Sequence, residues 1–201
     1  MKKSVVQDIY KELKRQILEQ TFTTEVFSEM QLAEQFHVSK TPVREALSIL
    51  CQEGFISRYP SFGYVLKDMT PQEYKDISEI RFILESGAAR IIVSLCSDEE
   101  IRQLYDTLNA PEGTSFNIVN INFHSKLGEL TKNQLLHNEI TSMSEVMSRP
   151  GQYSDFSRTP VGNYWHEKII EALLARDTEE AIRCIKQDLV YISRSEVFPP
   201  S

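Results

Sequence analysis

Cysteine is scarce in this 201-residue chain, and Cys51, Cys96 and Cys184 are scattered and odd in number. They offer no paired metal spacing and no disulfide framework, which points to a reducing cytoplasm. Long apolar runs are missing too. No stretch reaches the ~18–20 residues that span a bilayer, so no membrane partner is expected. The opening MKKSVVQDIYKEL turns acidic and amphipathic too soon for a signal peptide. There is no low-complexity segment and no clear internal repeat. Basic charge is also in deficit, with 22 Lys and Arg against 29 Asp and Glu, a net charge of −7. Spread evenly, that deficit would argue against a nucleic-acid partner. Residues 1–69, however, hold nine basic and nine acidic side chains, so residues 70–201 carry the whole excess. A neutral head on an acidic body is compatible with DNA binding if the basic groups of the head share one face.

What is present is strong helical periodicity. Val6, Ile9, Tyr10, Leu13 and Ile17 predict an amphipathic helix over about 5–19. QTFTTEVF reads as a loop. Ser28, with Gln31 three residues on, predicts an N-cap for EMQLAEQF. HVSK reads as a tight turn. Thr41 is expected to cap the next helix, with Pro42 at its first position and Gly54 just past its end. Phe55–Ile56 and Tyr64–Leu66 read as two strands joined by YPSFG. The order helix, helix, turn, helix, hairpin is that of a winged helix-turn-helix. After DMTPQEY the strand signals vanish. Six helical segments are expected, at roughly 73–95, 98–109, 114–131, 133–148, 157–176 and 178–196. The fold class is therefore mainly α, with a winged helix-turn-helix over 1–69 and an all-α bundle over 70–201.

The stretch VSKTPVREAL opens the helix that a winged helix presents to the major groove. A helix start carries partial positive charge and free N–H groups. Ser39 and Thr41 offer hydroxyls to phosphates and Lys40 offers charge. Arg44 lies one turn further in, where a guanidinium can reach a guanine edge. Gly63 at the hairpin tip can approach a backbone or minor groove closely. Read alone, the stretch is also a well-capped helix start. The short helix, the turn and the hairpin around it favour double-stranded DNA over that reading, and the basic, hydroxyl-rich helix start argues against a protein-interaction module.

The bundle holds polar groups in apolar company. Asn120 and His124 share a face with Leu127. His166 shares one with Ile169, Ile170 and Leu173. Asp188 shares one with Ala181, Ile185 and Ile192. Each is either satisfied separately or part of one shared site, because a buried carboxylate or imidazole needs a partner or ligand. Arg81 shares a face with Ile77, Leu84 and Ala88. It either meets a carboxylate ligand or pairs with Glu85, Asp76 or Glu79. His37 and His137 read as solvated turn residues, and Trp165 with Tyr164 as core or interface. No nucleophile or general-base motif accompanies the cluster. A metal-dependent enzyme built on His124, His166 and Asp188 is the alternative function, and it would leave the winged head idle.

LAEQFHVSKTPVREALSILCQEGFI followed by SFGYV resembles the DNA-binding domain of the GntR family of bacterial transcription regulators. ISEIRFILESGAAR, NINFHSKL and HEKIIEALLARDTEEAI, in that order, resemble the FadR-type C-terminal ligand-binding domain (FCD), in its six-helix branch. The resemblance implies a homodimer on a palindromic operator, regulated by a small-molecule effector, an organic acid. It assigns DNA contacts to Ser39, Lys40, Thr41, Arg44 and Gly63, and an effector contact to Arg81. It also implies a divalent metal (zinc, nickel, manganese or iron) held at the places of Asn120, His124, His166 and Asp188. This chain departs from the family pattern there. Asparagine replaces an aspartate, and aspartate replaces a histidine, leaving a metal site or a metal-free pocket as open alternatives. Met30 and Phe62 stand where relatives often carry arginine.

Overall fold

The computed structural model describes residues 2–22, 26–149 and 163–197. They fall into two compact units, the described residues up to 68 with 148–149, and the other described residues.

In the first unit, α1 (Lys2–Leu18) packs on α3 (Lys40–Gln52). Ile9, Leu13 and Ile17 are buried, as are Val43, Ala46, Leu47 and Leu50, which is the pairing that 3.6-residue periodicity dictates. Helix α2 (Glu29–Gln35) starts at Ser28, whose hydroxyl accepts from the Gln31 N–H at 3.1 Å. Helix α3 starts two residues earlier than expected, with no side-chain hydrogen bond at its cap. Ser39 is its N-cap and Pro42 its third residue. The first N–H groups of a helix have no intrahelical partner, so proline is as harmless there as at the first position. The far end closes as a Schellman turn. Gly54 takes φ +81, its N–H reaches Cys51 O at 3.1 Å, and Phe55 N–H reaches Leu50 O at 3.0 Å.

Strands β2 (Ile56–Tyr59) and β3 (Gly63–Leu66) form the expected hairpin. A third strand was not expected. Val26–Phe27, inside the stretch read as a loop, is β1 and pairs antiparallel with β3, giving the order β1-β3-β2. This gives Gly63 a reason to be glycine that is internal to the sheet. Its φ is +116, and a Cβ there would stand 2.6 Å from Phe27 O.

The second unit is helical. Helix α4 (Pro71–Leu95) opens with a full capping box between Thr70 and Glu73, and with proline in its first turn. Its C-terminal end is covered by Arg176, whose Nη1 donates to Cys96 O at 2.9 Å and Val93 O at 3.1 Å. The expected helix 98–109 is two pieces, α5 (Asp98–Arg102) and α6 (Leu104–Leu108), parted at Gln103. Then follow α7 (Phe116–Leu130), α8 (Gln134–Met147), α9 (Tyr164–Leu174) and α10 (Thr178–Val197). The expected helix over 157–176 begins in the described chain only at Tyr164, and 157–162 lies outside the described residues. Ala88, Ile92, Phe123, Leu127, Ile169, Ile170, Leu173 and Ile185 belong to one apolar core. The Ile192 side chain lies outside the described part of α10. His137 is no solvated turn residue. It sits on α8, half-buried, with Nδ1 3.0 Å from Ser125 O. His37 is exposed in a turn with φ +54.

Candidate functional site

The start of α3 is open to solvent, with Ser39, Lys40, Thr41 and Arg44 all exposed. Arg44 is nonetheless held. Its Nε donates to Glu29 Oε1 at 2.9 Å and its Nη2 to Glu29 Oε2 at 2.6 Å. The same Glu29 Oε1 accepts from the Tyr64 hydroxyl on β3 at 3.1 Å. These hydrogen bonds, Arg44's first, hold the Glu29 carboxyl below its usual range. Met30 and Phe62 are 55% and 63% exposed, so both positions present apolar surface.

The second unit gathers its predicted polar residues at one place. Helix α7 turns Asn117, Asn120 and His124 to one buried face, α9 brings His166, α10 brings Asp188, and α4 brings Arg81 with Glu85. His124 Nε2 is 3.2 Å from Asp188 Oδ2, and His166 Nε2 is 3.7 Å from Asp188 Oδ1. His166 Nε2 is also 3.2 Å from Asn120 Oδ1. The ligand atoms of His124, His166 and Asp188 all lie within 4.8 Å of one another. Phe123 stacks on His166, with ring centroids 4.2 Å apart, and forms an apolar wall.

Of the alternatives read for Arg81, the structure shows the ion pair. Its Nε donates to Glu85 Oε1 at 2.8 Å, so the i,i+4 pair exists, but it is wholly buried rather than on the surface. Nη1 reaches Met147 Sδ at 3.1 Å, and Nη2 is buried without a partner. Glu85 is the member that the residue pattern did not mark as part of the site. Its Oε2 stands 2.8 Å from His124 Nδ1, linking the arginine to the histidine cluster. Asn117, buried with Oδ1 unpartnered, was also missed. Its signal was its place three residues before Asn120 on the same helix face.

Electrostatics sharpen the arrangement. Burial works to raise the Glu85 pKa, but the charges of Arg81 and then His124 prevail and hold it low. Burial pushes His166 down to about 4, so its imidazole is neutral. Burial also acts to lower His124, yet the Glu85 charge raises it overall. Asp188 is held low despite burial by the two facing imidazoles. Among the described residues, the ion contacts of Asp188 are those imidazoles alone. If His124 donates its Nδ1–H to Glu85 and is neutral, Nε2 is a lone pair directed near Asp188 Oδ2. The two atoms are 3.2 Å apart but not aligned as a hydrogen bond. A positive charge belongs between them, either a second proton on His124 or a metal cation.

An exposed helix start beside a three-stranded wing, joined in one chain to a helical unit with a buried polar site, defines a DNA-binding transcription regulator with a second, helical unit. The comparisons with known proteins agree. Residues 5–65 match "Bacterial regulatory proteins, gntR family" and residues 76–190 match "FCD domain". The Nta operon transcriptional regulator of Aminobacter aminovorans is 30% identical over 78% of this chain and 77% of its own length. The transcriptional repressor RspR of Escherichia coli K12 is 27% identical over 95% and 88%. A solved GntR regulator from Rhodococcus sp. RHA1 has the same fold, with a TM-score of 0.79 at 18% identity, covering 98% of this chain and 100% of that one. The chain belongs to the GntR family of transcription regulators, in its FCD subfamily. These families and relatives are regulators, and none supports the metal-dependent enzyme. No helix among the described residues is long and apolar enough to cross a membrane.

Proposed function

We propose that the chain is a repressor whose grip on a palindromic operator is set by a small organic acid bound in the second unit. The observation that carries this reading is the buried site itself. Asp188 there faces two imidazoles, and Arg81 keeps an unpartnered Nη2. A carboxylate ligand supplies what that guanidinium lacks, and Asn117 adds a second orphaned polar atom. The donor set also fits a divalent cation: His124, His166 and Asp188 would hold it, with the Asn120 amide oxygen as a weak fourth ligand. Such an ion would supply a Lewis-acid seat for the effector's carboxylate. Binding that favours one arrangement of the bundle shifts the population of DNA-competent molecules. In the first unit, Ser39, Lys40, Thr41 and Gly63 are assigned to the DNA backbone and Arg44 to a base edge.

Elemental mass spectrometry on protein purified without added metal or chelator tests the cation. Near one ion per chain, lost in His124→Ala, is the expected result. No metal in either protein, even after incubation with zinc, nickel or manganese, would mean that the charge facing Asp188 is a proton. The effector would then rest on Arg81 and the histidines directly.

A palindromic site needs two heads, and α4 offers a face for a second copy. Ile80, Ile83, Gly87 and Ile91 form one stripe, with Ile83 69% exposed. A Cβ added at Gly87 would meet nothing within 4 Å, so packing within the chain does not account for a residue that weakens a helix interior. In an antiparallel pair of α4 helices, Ile83 seats over Gly87 of the other copy. Glu79 and Arg90, which share a flank, then meet across the two-fold axis with opposite charge. Ile83→Asp is expected to yield a monomer by sedimentation velocity at micromolar concentration. A variant that stays dimeric would move the interface elsewhere.

A further inference from the structure

Arg44 is exposed and cationic, so left to itself it would bind any phosphate as readily as a particular base. The structure gives it a fixed partner. Glu29 occupies the Nε–Nη2 edge of the guanidinium with both carboxylate oxygens. That leaves the end-on edge, from Nη1 and the second Nη2 hydrogen, free as a two-pronged donor. This is the geometry that a guanine O6/N7 pair accepts. Glu29 itself is tethered. It is the first residue of α2, where a carboxylate is favoured by the helix N-terminus. The hydroxyl of Tyr64, a residue 3% exposed, donates to it from β3. Arg58 on β2 lies over the Tyr64 ring, 5.9 Å from its centroid. One carboxylate thus joins α2, the wing and the helix carrying Arg44.

We infer that Glu29 is a specificity-setting residue: it orients Arg44 end-on toward a base and cancels the charge that would otherwise be spent on phosphate. The inference rests on the reading that Arg44 contacts a base. Glu29 is a positioning residue, acting on DNA through Arg44, and Tyr64 supports it.

The test uses the full chain. Wild-type protein selects a consensus duplex from a random-sequence library. Binding to that duplex and to a scrambled one of equal composition is then followed by fluorescence anisotropy over a range of NaCl concentrations. For Glu29→Gln, the ratio of consensus to scrambled affinity is expected to fall about tenfold or more. Scrambled duplex should bind more tightly, with the log–log salt slope steeper by about one as Arg44 turns to a phosphate. Tyr64→Phe should move the same way by a smaller factor, and it carries the test if Glu29→Gln does not fold. Arg44→Ala separates the two readings. If Arg44→Ala loses discrimination while Glu29→Gln keeps the wild-type ratio and slope, the inference about Glu29 is wrong and the role of Arg44 stands. If Arg44→Ala discriminates as the wild type does, both fall.

Discussion

Glu85→Ala is expected to cost the helical unit about 3–5 kcal/mol, the range for removing one partner of a buried ion pair. Arg81 and Glu85 are both fully buried, and His124 sits on the other oxygen of Glu85. Without that carboxylate the guanidinium keeps, among the described residues, Met147 Sδ, a weak acceptor, and His124 loses the group that fixes its ring. The melting midpoint should fall by roughly 6–20 °C, taking 2–4 °C per kcal/mol for a chain of this size. The informative comparison is the double variant Arg81→Met with Glu85→Leu. It removes both charges and fills similar volume, so most of the loss should return. Calorimetry on the three proteins decides the matter. A single variant within about 1 kcal/mol of wild type would show that the pair is not a stability element, and a double variant as unstable as the single would show that the loss is not that of a stranded charge.

Arg44→Ala should weaken binding to the selected operator duplex by about 1–3 kcal/mol, roughly 5- to 150-fold, with little change on scrambled DNA. The structure adds a reason for the second half of that statement: Glu29 already neutralises this arginine, so its deletion removes little phosphate affinity. Lys40→Ala makes the contrast. It is exposed at the first position of α3 and should weaken both duplexes alike, reducing the salt slope by about one. Anisotropy titrations at several salt concentrations read both effects. Binding of Arg44→Ala to operator and to scrambled DNA each at its own wild-type strength would remove Arg44 from the reading head.

The parts of the fold that depend on local chemistry were legible in the sequence. Ser28 caps α2 and Gly54 ends α3, because a hydroxyl before a helix and a left-handed residue after it act within a few bonds. Where two hydroxyl residues stand close together, as at Ser39 and Thr41, local rules cannot rank them; the helix starts after Ser39, whose side chain makes no cap hydrogen bond. Strand β1 was not legible. Two residues, Val26 and Phe27, carry no periodicity, and they are a strand only because the free edge of β3 lies beside them. The polar cluster was readable residue by residue, since His124, His166 and Asp188 each sit at the spacing of an apolar face. Glu85 was not, because an Arg-to-Glu step of four residues looks the same on a surface helix as in a core. Glu29 and Arg44 are fifteen residues apart on two helices, and nothing short of the fold brings them together.

The close approach of Gly63 to Phe27 O ties the wing to the reading head in a way that bears on how such regulators diverge. Any side chain at position 63 must push the first strand away, and Glu29 follows that strand by two residues. On the proposed role of Glu29, a mutation at position 63 should therefore retune which base is preferred through the first strand as well as through its own contact with DNA. Lineages that exchange operators should change the hairpin tip and the start of the second helix in concert, inheriting them as one heritable unit rather than drifting position by position.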